Sequence, residues 1–319
     1  MNSVSNIAKK VINGEPMLLI DALDLEVVNF YELLFWANRI REKFKGNEIR
    51  LCGIINAKSG MCSEDCTFCA QSASHRTAAP VYPYVGGKAI VEGFKNASEN
   101  GASCFGVVSS GNDFSNEDLE DLCKTAADIK GQNAVLSASI GKLSKDILIK
   151  LKDAGINKIH HNLETSRSYF PSVCSTHSYD DRIETIRLAK NAGFEVCSGG
   201  LFGIGEKFKD RVELALLLSE LNVDSVPLNF LNPVPGTPLE NSESLPAQEI
   251  LRTIALFRFV LPEQDISVCG GREVNLGDLQ SWIFMAGASG MMIGNYLTTA
   301  GRDIQKDLRM ISDLGLEIY

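Results

Sequence analysis

From residue 50 onward, eight short apolar runs alternate with amphipathic helical stretches, and the helices repeatedly close on a glycine that feeds the next run. The two least regular loops fall after runs one and six. This pattern predicts an α/β fold: a (β/α)8 TIM-type barrel of about 250 residues with an N-terminal helical extension. A doubly wound open sheet is the alternative.

Each element has its own warrant. The runs are residues 50–56, 103–109, 134–140, 158–163, 195–201, 225–230, 265–269 and 290–294. Asn100-Gly101-Ala102, Ala154-Gly155-Ile156 and Ala192-Gly193-Phe194 are the clearest closures, each a helix C-terminal glycine leading into a strand. Residues 146–153, 181–191, 212–221 and 247–260 carry apolar side chains three and four apart, as helices covering a parallel sheet should. Residues 1–49 stand outside the repeat, with 29–44 an amphipathic stretch ending in Lys45-Gly46-Asn47. They are expected to cap the bottom or side of a barrel spanning 50–319. The longest irregular segment is expected at 232–246, where Pro233, Pro235 and Pro238 forbid regular structure. Barrel active sites lie on the loops after the strands, so this loop and the one after run one share the catalytic face.

Over 319 residues, 45% hydrophobic and 22% charged side chains describe a globular chain with a full core. No apolar run approaches the roughly 18 residues of a membrane span. The Lys9-Lys10 start leads into Asn13-Gly14-Glu15-Pro16 instead of a signal peptide's hydrophobic stretch. A cytoplasmic protein is expected, with no membrane partner. A formal charge of -9 argues against a nucleic-acid surface and for a small-molecule substrate. Nine cysteines without a secretion signal read as metal ligands in a reducing compartment, and oxygen sensitivity follows.

Residues 62–69 read Cys-Ser-Glu-Asp-Cys-Thr-Phe-Cys, a C-x3-C-x2-C run on a polar loop. Structural zinc takes four protein ligands, so a zinc site here needs a remote fourth such as His75. A four-iron cluster on Cys62, Cys66 and Cys69 instead leaves one iron open for a substrate or cofactor. Downstream, His160, Asn162 and Glu164 alternate along one strand and share a face, and polar residues aimed into a barrel mouth need partners. Residues 203–206 have the look of a phosphate turn without the full glycine fingerprint.

The cysteine loop, with Phe68 before its third cysteine, resembles the radical S-adenosylmethionine (SAM) superfamily. Within it, the biotin synthase family is similar over nearly the whole chain. The matching stretches are Met61 to Cys66 and on through Ser72, His161 to Ser166, Tyr179 to Arg182, Cys197 to Gly200 and on through Glu206, Gly236 to Leu239, and Gly271 to Glu273. The resemblance implies a 4Fe-4S cluster on the three loop cysteines, SAM as cofactor, and sulfur insertion into dethiobiotin by 5'-deoxyadenosyl radical chemistry. It implies cofactor contacts from Phe68, Ser109, Asn162, Glu164, Arg182 and Leu201. Asn162 and Glu164 would meet the ribose, Arg182 the carboxylate and Leu201 the adenine, with substrate contacts from Asn162 and Asn229. The family usually has Asp where Glu164 stands. An electron-donor protein of flavodoxin or ferredoxin type and a homodimer follow by family analogy.

The chain departs from the family at the second cluster. Better-known members hold a two-iron, sulfur-donating cluster with three cysteines and an arginine. Here the first two cysteine positions fall on Gly106 and Ser137, while Cys197 and Arg272 are kept. Cys104 lies two residues before Gly106 and shares its face, and Cys269 is a new thiol near Arg272. Three cysteines from runs two, five and seven suit a four-iron auxiliary cluster on Cys104, Cys197 and Cys269. Cys197 and Arg272 are the catalytic pair by the same resemblance, and Cys52, Cys123 and Cys174 are read as structural. The competing functions are a related mutase, a hydrogenase-cofactor maturase and a non-catalytic iron-sulfur carrier.

Overall fold

A computed structural model describes residues 3–112 and 114–319. Three helices, α1 (Val4–Ile12), α2 (Leu19–Asp24) and α3 (Phe30–Lys45), precede the first strand, β1 (Glu48–Lys58). Then follow α4 (Gly87–Glu99), β2 (Ala102–Ser109), α5 (Asn116–Asp128), β3 (Val135–Ser139), α6 (Lys145–Asp153), β4 (Lys158–His160) and α7 (Tyr179–Asn191). The second half is β5 (Glu195–Cys197), β6 (Gly200–Phe202), α8 (Phe208–Glu220), β7 (Ser225–Phe230), α9 (Ala247–Val260) and β8 (Asp265–Val268). It ends with α10 (Arg272–Leu276), α11 (Trp282–Met285), β9 (Gly290–Met292), α12 (Ile304–Asp313) and β10 (Glu317–Ile318).

The strands pair in parallel in the order β1-β2-β3-β4-β5-β7-β8-β9, and β9 returns to β1, closing the barrel. The expected fifth run is two strands, because the chain breaks at Ser198 and Gly199 and β6 resumes alongside β7. Gly199 is required there: a Cβ would lie 1.9 Å from the Pro227 carbonyl oxygen. Ser115, Ser144 and Ser178 start α5, α6 and α7 by accepting the backbone N–H three residues on. Those caps fix where each helix leaves its strand-end loop.

Alternation along β1 puts Leu51 and Gly53 outward, where a Cβ on Gly53 would meet Ala97 of α4, and turns Cys52 and Ile54 into the barrel. At the lower rim Asp265 pairs with both Lys45 and Arg50. Fully buried Arg258 donates to the carbonyls of Gly287, Pro262 and Gln264. The N-terminal helices pack on the barrel's flank: α3 against α9 and α11, α2 against α8 and α9. The longest irregular stretch is not 232–246 but 59–86, which holds the cysteine loop. Among the described residues no helix is long and apolar enough to cross a membrane.

Candidate active site

Two cavities lie one above the other inside the upper half of the barrel. The upper one is lined by Cys62, Cys66, Cys69, Phe68, Ser109, Asn162, Glu164, His177 and Arg182, among others. The cysteine loop folds on itself: Cys69 N–H donates to the Cys66 carbonyl, Ala73 N–H to the Cys62 carbonyl, and Cys62 N–H to that of Gln71. Gln71 Oε1 accepts from Asn56, Ser59 and Gly60, tying the loop to the end of β1. The proline loop packs against the same segment, since a Cβ on Gly236 would lie 2.0 Å from the Arg76 carbonyl oxygen. All three loop thiols therefore open onto one space from a braced backbone. His75 is not among the residues lining this cavity, and its Nε2 bonds the Cys66 carbonyl at 3.0 Å. Soft thiolates from one loop, with no fourth ligand from His75, fit an iron-sulfur cluster with an open iron.

Beside this loop stands a relay that the sequence did not announce. Arg182 Nε donates to His177 Nε2 at 2.9 Å, which leaves His177 Nδ1–H to donate to Glu64 Oε2 at 2.6 Å. The imidazole is thereby fixed in one neutral tautomer. Arg182 Nη1 also donates to the Asn162 carbonyl, so the guanidinium is anchored from two sides beside the three cysteines. Cys174, read as structural, in fact touches the loop. A hydrogen bond with Cys66 holds Cys174 down to about 6, and the same bond, with burial, pushes the Cys66 thiol up. Cys123 bonds only the Lys150 carbonyl on the outer layer.

The floor of the upper cavity is the roof of the lower one, and His160, Asn162 and Glu164 line both. Glu164 adopts φ +68°, a left-handed conformation that a non-glycine residue rarely takes and that clusters at functional sites. β4 ends at His160, so Asn162 and Glu164 lie beyond the strand on which alternation was expected, and Glu164 turns its carboxylate toward Arg182, 4.0 Å away, and Asn162 Nδ2 at 3.4 Å. Burial raises the Glu164 pKa against the opposing pull of Arg182 and His160, while burial lowers that of His160. Asn162 Oδ1 accepts from Gly199 N–H, which fixes its amide orientation. Leu201 belongs to a separate apolar cluster with Val173, Ile204 and Leu231, against which Phe68 packs; Phe68 lines both cavities, whereas Leu201 lines the lower one and not the upper. Residues 203–206 form no phosphate turn, because the Glu206 carboxylate already occupies the Gly203 and Ile204 N–H groups and is paired with Arg211.

The lower cavity, about 320 Å³, is at the small end of the roughly 300–1,000 Å³ of ligand pockets. Its wall carries Cys104, Cys197 and Cys269, as expected, and also Cys52, with Ser137, Lys158, Ser225 and Ser267 between them. Barrel interiors are normally filled by Val, Ile and Leu. Asn229 lines it too, its amide oxygen accepting from Gly270 N–H. Cys104 is held down to about 6, chiefly by a hydrogen bond from Cys52, with the Lys158 ammonium adding to the effect. Burial pushes the Cys197 and Cys269 thiols up. Burial works against the Lys158 charge, yet the thiols of Cys197, Cys104 and Cys52 raise its pKa. Several thiols around one buried cation fit a second iron-sulfur cluster. Arg272 does not fit the place expected of it. Its guanidinium is fully buried, bonding Asp307, Gln280 and Glu273, and it is not part of the cavity wall. The long side chain follows α10 toward α12 instead of the barrel axis.

Known proteins can be set against this geometry. The "Radical SAM superfamily" model matches residues 58–218, and the "Biotin and Thiamin Synthesis associated domain" matches 227–317. The chain is 51% identical to the biotin synthase of Geotalea uraniireducens over 99% of its length and 97% of the relative's. It is likewise 51% identical to that of Endomicrobium trichonymphae, covering 99% and 98%. Crystallised methylornithine synthase, PylB, superposes with a TM-score of 0.83 at 20% identity, covering 98% of this chain and 97% of that one. The hydrogenase maturase HydG gives 0.82 at 18%, covering 98% and 75%. At those identities the two structures bear on the fold alone.

Proposed function

The chain belongs to the biotin synthase family of the radical SAM superfamily, and on that premise we propose that it inserts sulfur into dethiobiotin to make biotin. The observation that carries this is the stacking of two thiol-lined cavities on one shared floor. When bound, the loop cluster with SAM supplies the adenosyl radical and the auxiliary cluster supplies the sulfur. Cys62, Cys66 and Cys69 hold the first cluster, and Cys104, Cys197 and Cys269 the second.

The protein's own part is binding and placement. Arg182, oriented by His177 and by the Asn162 carbonyl, offers a planar pair of donors to the cofactor carboxylate. Asn162 and Glu164 present an amide and a carboxylate to the ribose hydroxyls. Leu201 and Phe68 provide the apolar face for the adenine. Dethiobiotin lies at the shared floor, with Asn162 above and Asn229 beside it, so its carbons sit between the two thiol sets. Asn56 holds the Leu297 carbonyl at 2.9 Å, drawing residues 296–299 over the lower cavity, where they exclude water. The protein works in the cytoplasm, takes electrons from a flavodoxin- or ferredoxin-type donor, and forms a homodimer.

Anaerobic incubation with SAM, dethiobiotin and a low-potential reductant tests the reading. Biotin with about two 5'-deoxyadenosines per product is the expected outcome. Cofactor cleavage without sulfur in the product would sink it.

A further inference from the structure

We propose that Cys52 is a fourth thiolate ligand of the iron-sulfur centre inside the barrel, which is thus held by Cys52, Cys104, Cys197 and Cys269 with Lys158 as its counter-cation. This rests on the reading of the lower cavity as the auxiliary cluster's site. It goes beyond that reading in the number of protein sulfurs and in the role of the lysine.

Register carries the first part. Cys52 of β1 is paired with Cys104 of β2 in the parallel ladder, on the inward face of both strands. Adjacent strands lie only about 4.8 Å apart. Two cysteines so close on one inward wall can bind the same metal centre, and a metal-bound thiol gives up its proton. On its other side β1 pairs with β9, placing Met292 beside Cys52, and the next strand, β8, leads into Cys269. Cys52 therefore fills the gap in the ring between Cys104 and Cys269.

Charge carries the second part. Lys158 is half-buried on β4, between the strands of Cys104 and Cys197, and lines the same cavity. Among the described residues, no salt bridge to a carboxylate is found for it; its wall carries thiols and serine hydroxyls, and the Asp265 carboxylate on that wall is already paired with Lys45 and Arg50. A buried ammonium is costly without an anionic partner. An iron-sulfur core with four thiolates is anionic, and it supplies that partner.

The test uses full-length protein in which Cys62→Ala, Cys66→Ala and Cys69→Ala remove the loop cluster. Cys52→Ser and Cys52→Ala are added singly, and each protein is reconstituted anaerobically with iron and sulfide. The serine variant separates a ligand from a mere hydrogen-bond donor, since it keeps a donor toward Cys104 but is a poor ligand for iron. We expect the parent to hold about four irons, and both Cys52 variants to fall to about three with a three-iron EPR signal after mild oxidation. In the parent, iron should also shield Cys52 from alkylation, read by peptide mass spectrometry. The thermal melt of each apo protein separates lost ligation from lost folding. If the Cys52→Ser variant keeps the parent's iron count and Mössbauer spectrum, and Cys52 alkylates equally with and without iron, the ligand assignment is overturned while the three-cysteine reading stands. A parent that binds no iron overturns both.

Discussion

The two cavities meet at one floor but are built in opposite ways. The upper takes its thiols from eight consecutive residues of one loop, and it surrounds them with a hydrogen-bonded polar set: Arg182 with His177, His177 with Glu64, and Arg182 facing the Glu164 carboxylate. The lower takes its thiols from β1, β2, β5 and the end of β8, and holds one lysine for which, among the described residues, no salt bridge is found. A contiguous site survives the loss of a neighbouring strand contact, because its geometry is local. The dispersed site exists only when the barrel closes in register. The upper site is thus a binding device on a loop, and the lower is a property of the fold.

Removing either thiol set separates them most sharply. The triple change Cys62→Ala, Cys66→Ala, Cys69→Ala should abolish SAM cleavage completely while leaving iron in the barrel, checked by 5'-deoxyadenosine release and iron analysis. Cys197→Ala should do the reverse: biotin falls to background by mass spectrometry while cofactor cleavage persists. If Cys197→Ala also stopped cleavage, the two sites would be one coupled unit and the comparison would fail.

What the chain disclosed beforehand follows the same division. The C-x3-C-x2-C run was legible because three ligands within one loop need no tertiary knowledge. The barrel was legible from periodicity and glycine closures, since each βα unit repeats the same local chemistry. The place of Cys52 on the cavity wall was not legible, because a single cysteine in an apolar strand looks like any small core residue, and only the pairing with Cys104 across β1 and β2 reveals its direction. The break at Ser198-Gly199 was hidden for a similar reason, as the close approach of Pro227 that demands it is tertiary. Arg272 was misplaced because resemblance fixes a position in the sequence but not a rotamer. The side chain is drawn away by the buried carboxylate of Asp307, 2.8 Å from Nη2. No local signal pointed to the Arg182–His177–Glu64 relay, which joins loops more than a hundred residues apart in sequence.

Arg272 offers the next test. With both partners fully buried, Asp307→Asn leaves the Arg272 cation with Glu273 as its remaining carboxylate and should cost about 1.5–3 kcal/mol of stability, read by chemical denaturation. The iron content of the folded fraction should not change. Loss of barrel iron at unchanged stability would return Arg272 to the cluster. On the upper side, Arg182→Lys keeps the charge but loses the planar fork. The apparent affinity for SAM should drop on the order of 10–100-fold, about 1.4–2.7 kcal/mol, with little effect on the barrel's iron. Equilibrium binding of SAM to the reconstituted enzyme measures it, and an unchanged affinity would detach Arg182 from the cofactor.

The smallest effect probes how the shared floor is held. Beyond Glu164 the chain turns through Ser166 and Ser168, whose hydroxyls both donate to Asp210 at the start of α8, 2.9 and 3.0 Å away. Burial alone would raise the Asp210 pKa, but the Lys207 N–H and those two hydroxyls outweigh it and hold the carboxyl below its ordinary value. A depressed folded pKa means stability that is fully present above the unfolded value of about 3.9 and lost as pH falls through the folded one. Asp210→Ala should therefore cost about 1 kcal/mol at pH 7, and the gap between wild type and variant should shrink as the pH drops below about 4. Urea midpoints at pH 7 and pH 3 give both numbers. A gap that stayed constant would mean that the carboxylate charge does not brace the floor, and that the left-handed turn at Glu164 is held from the barrel side alone.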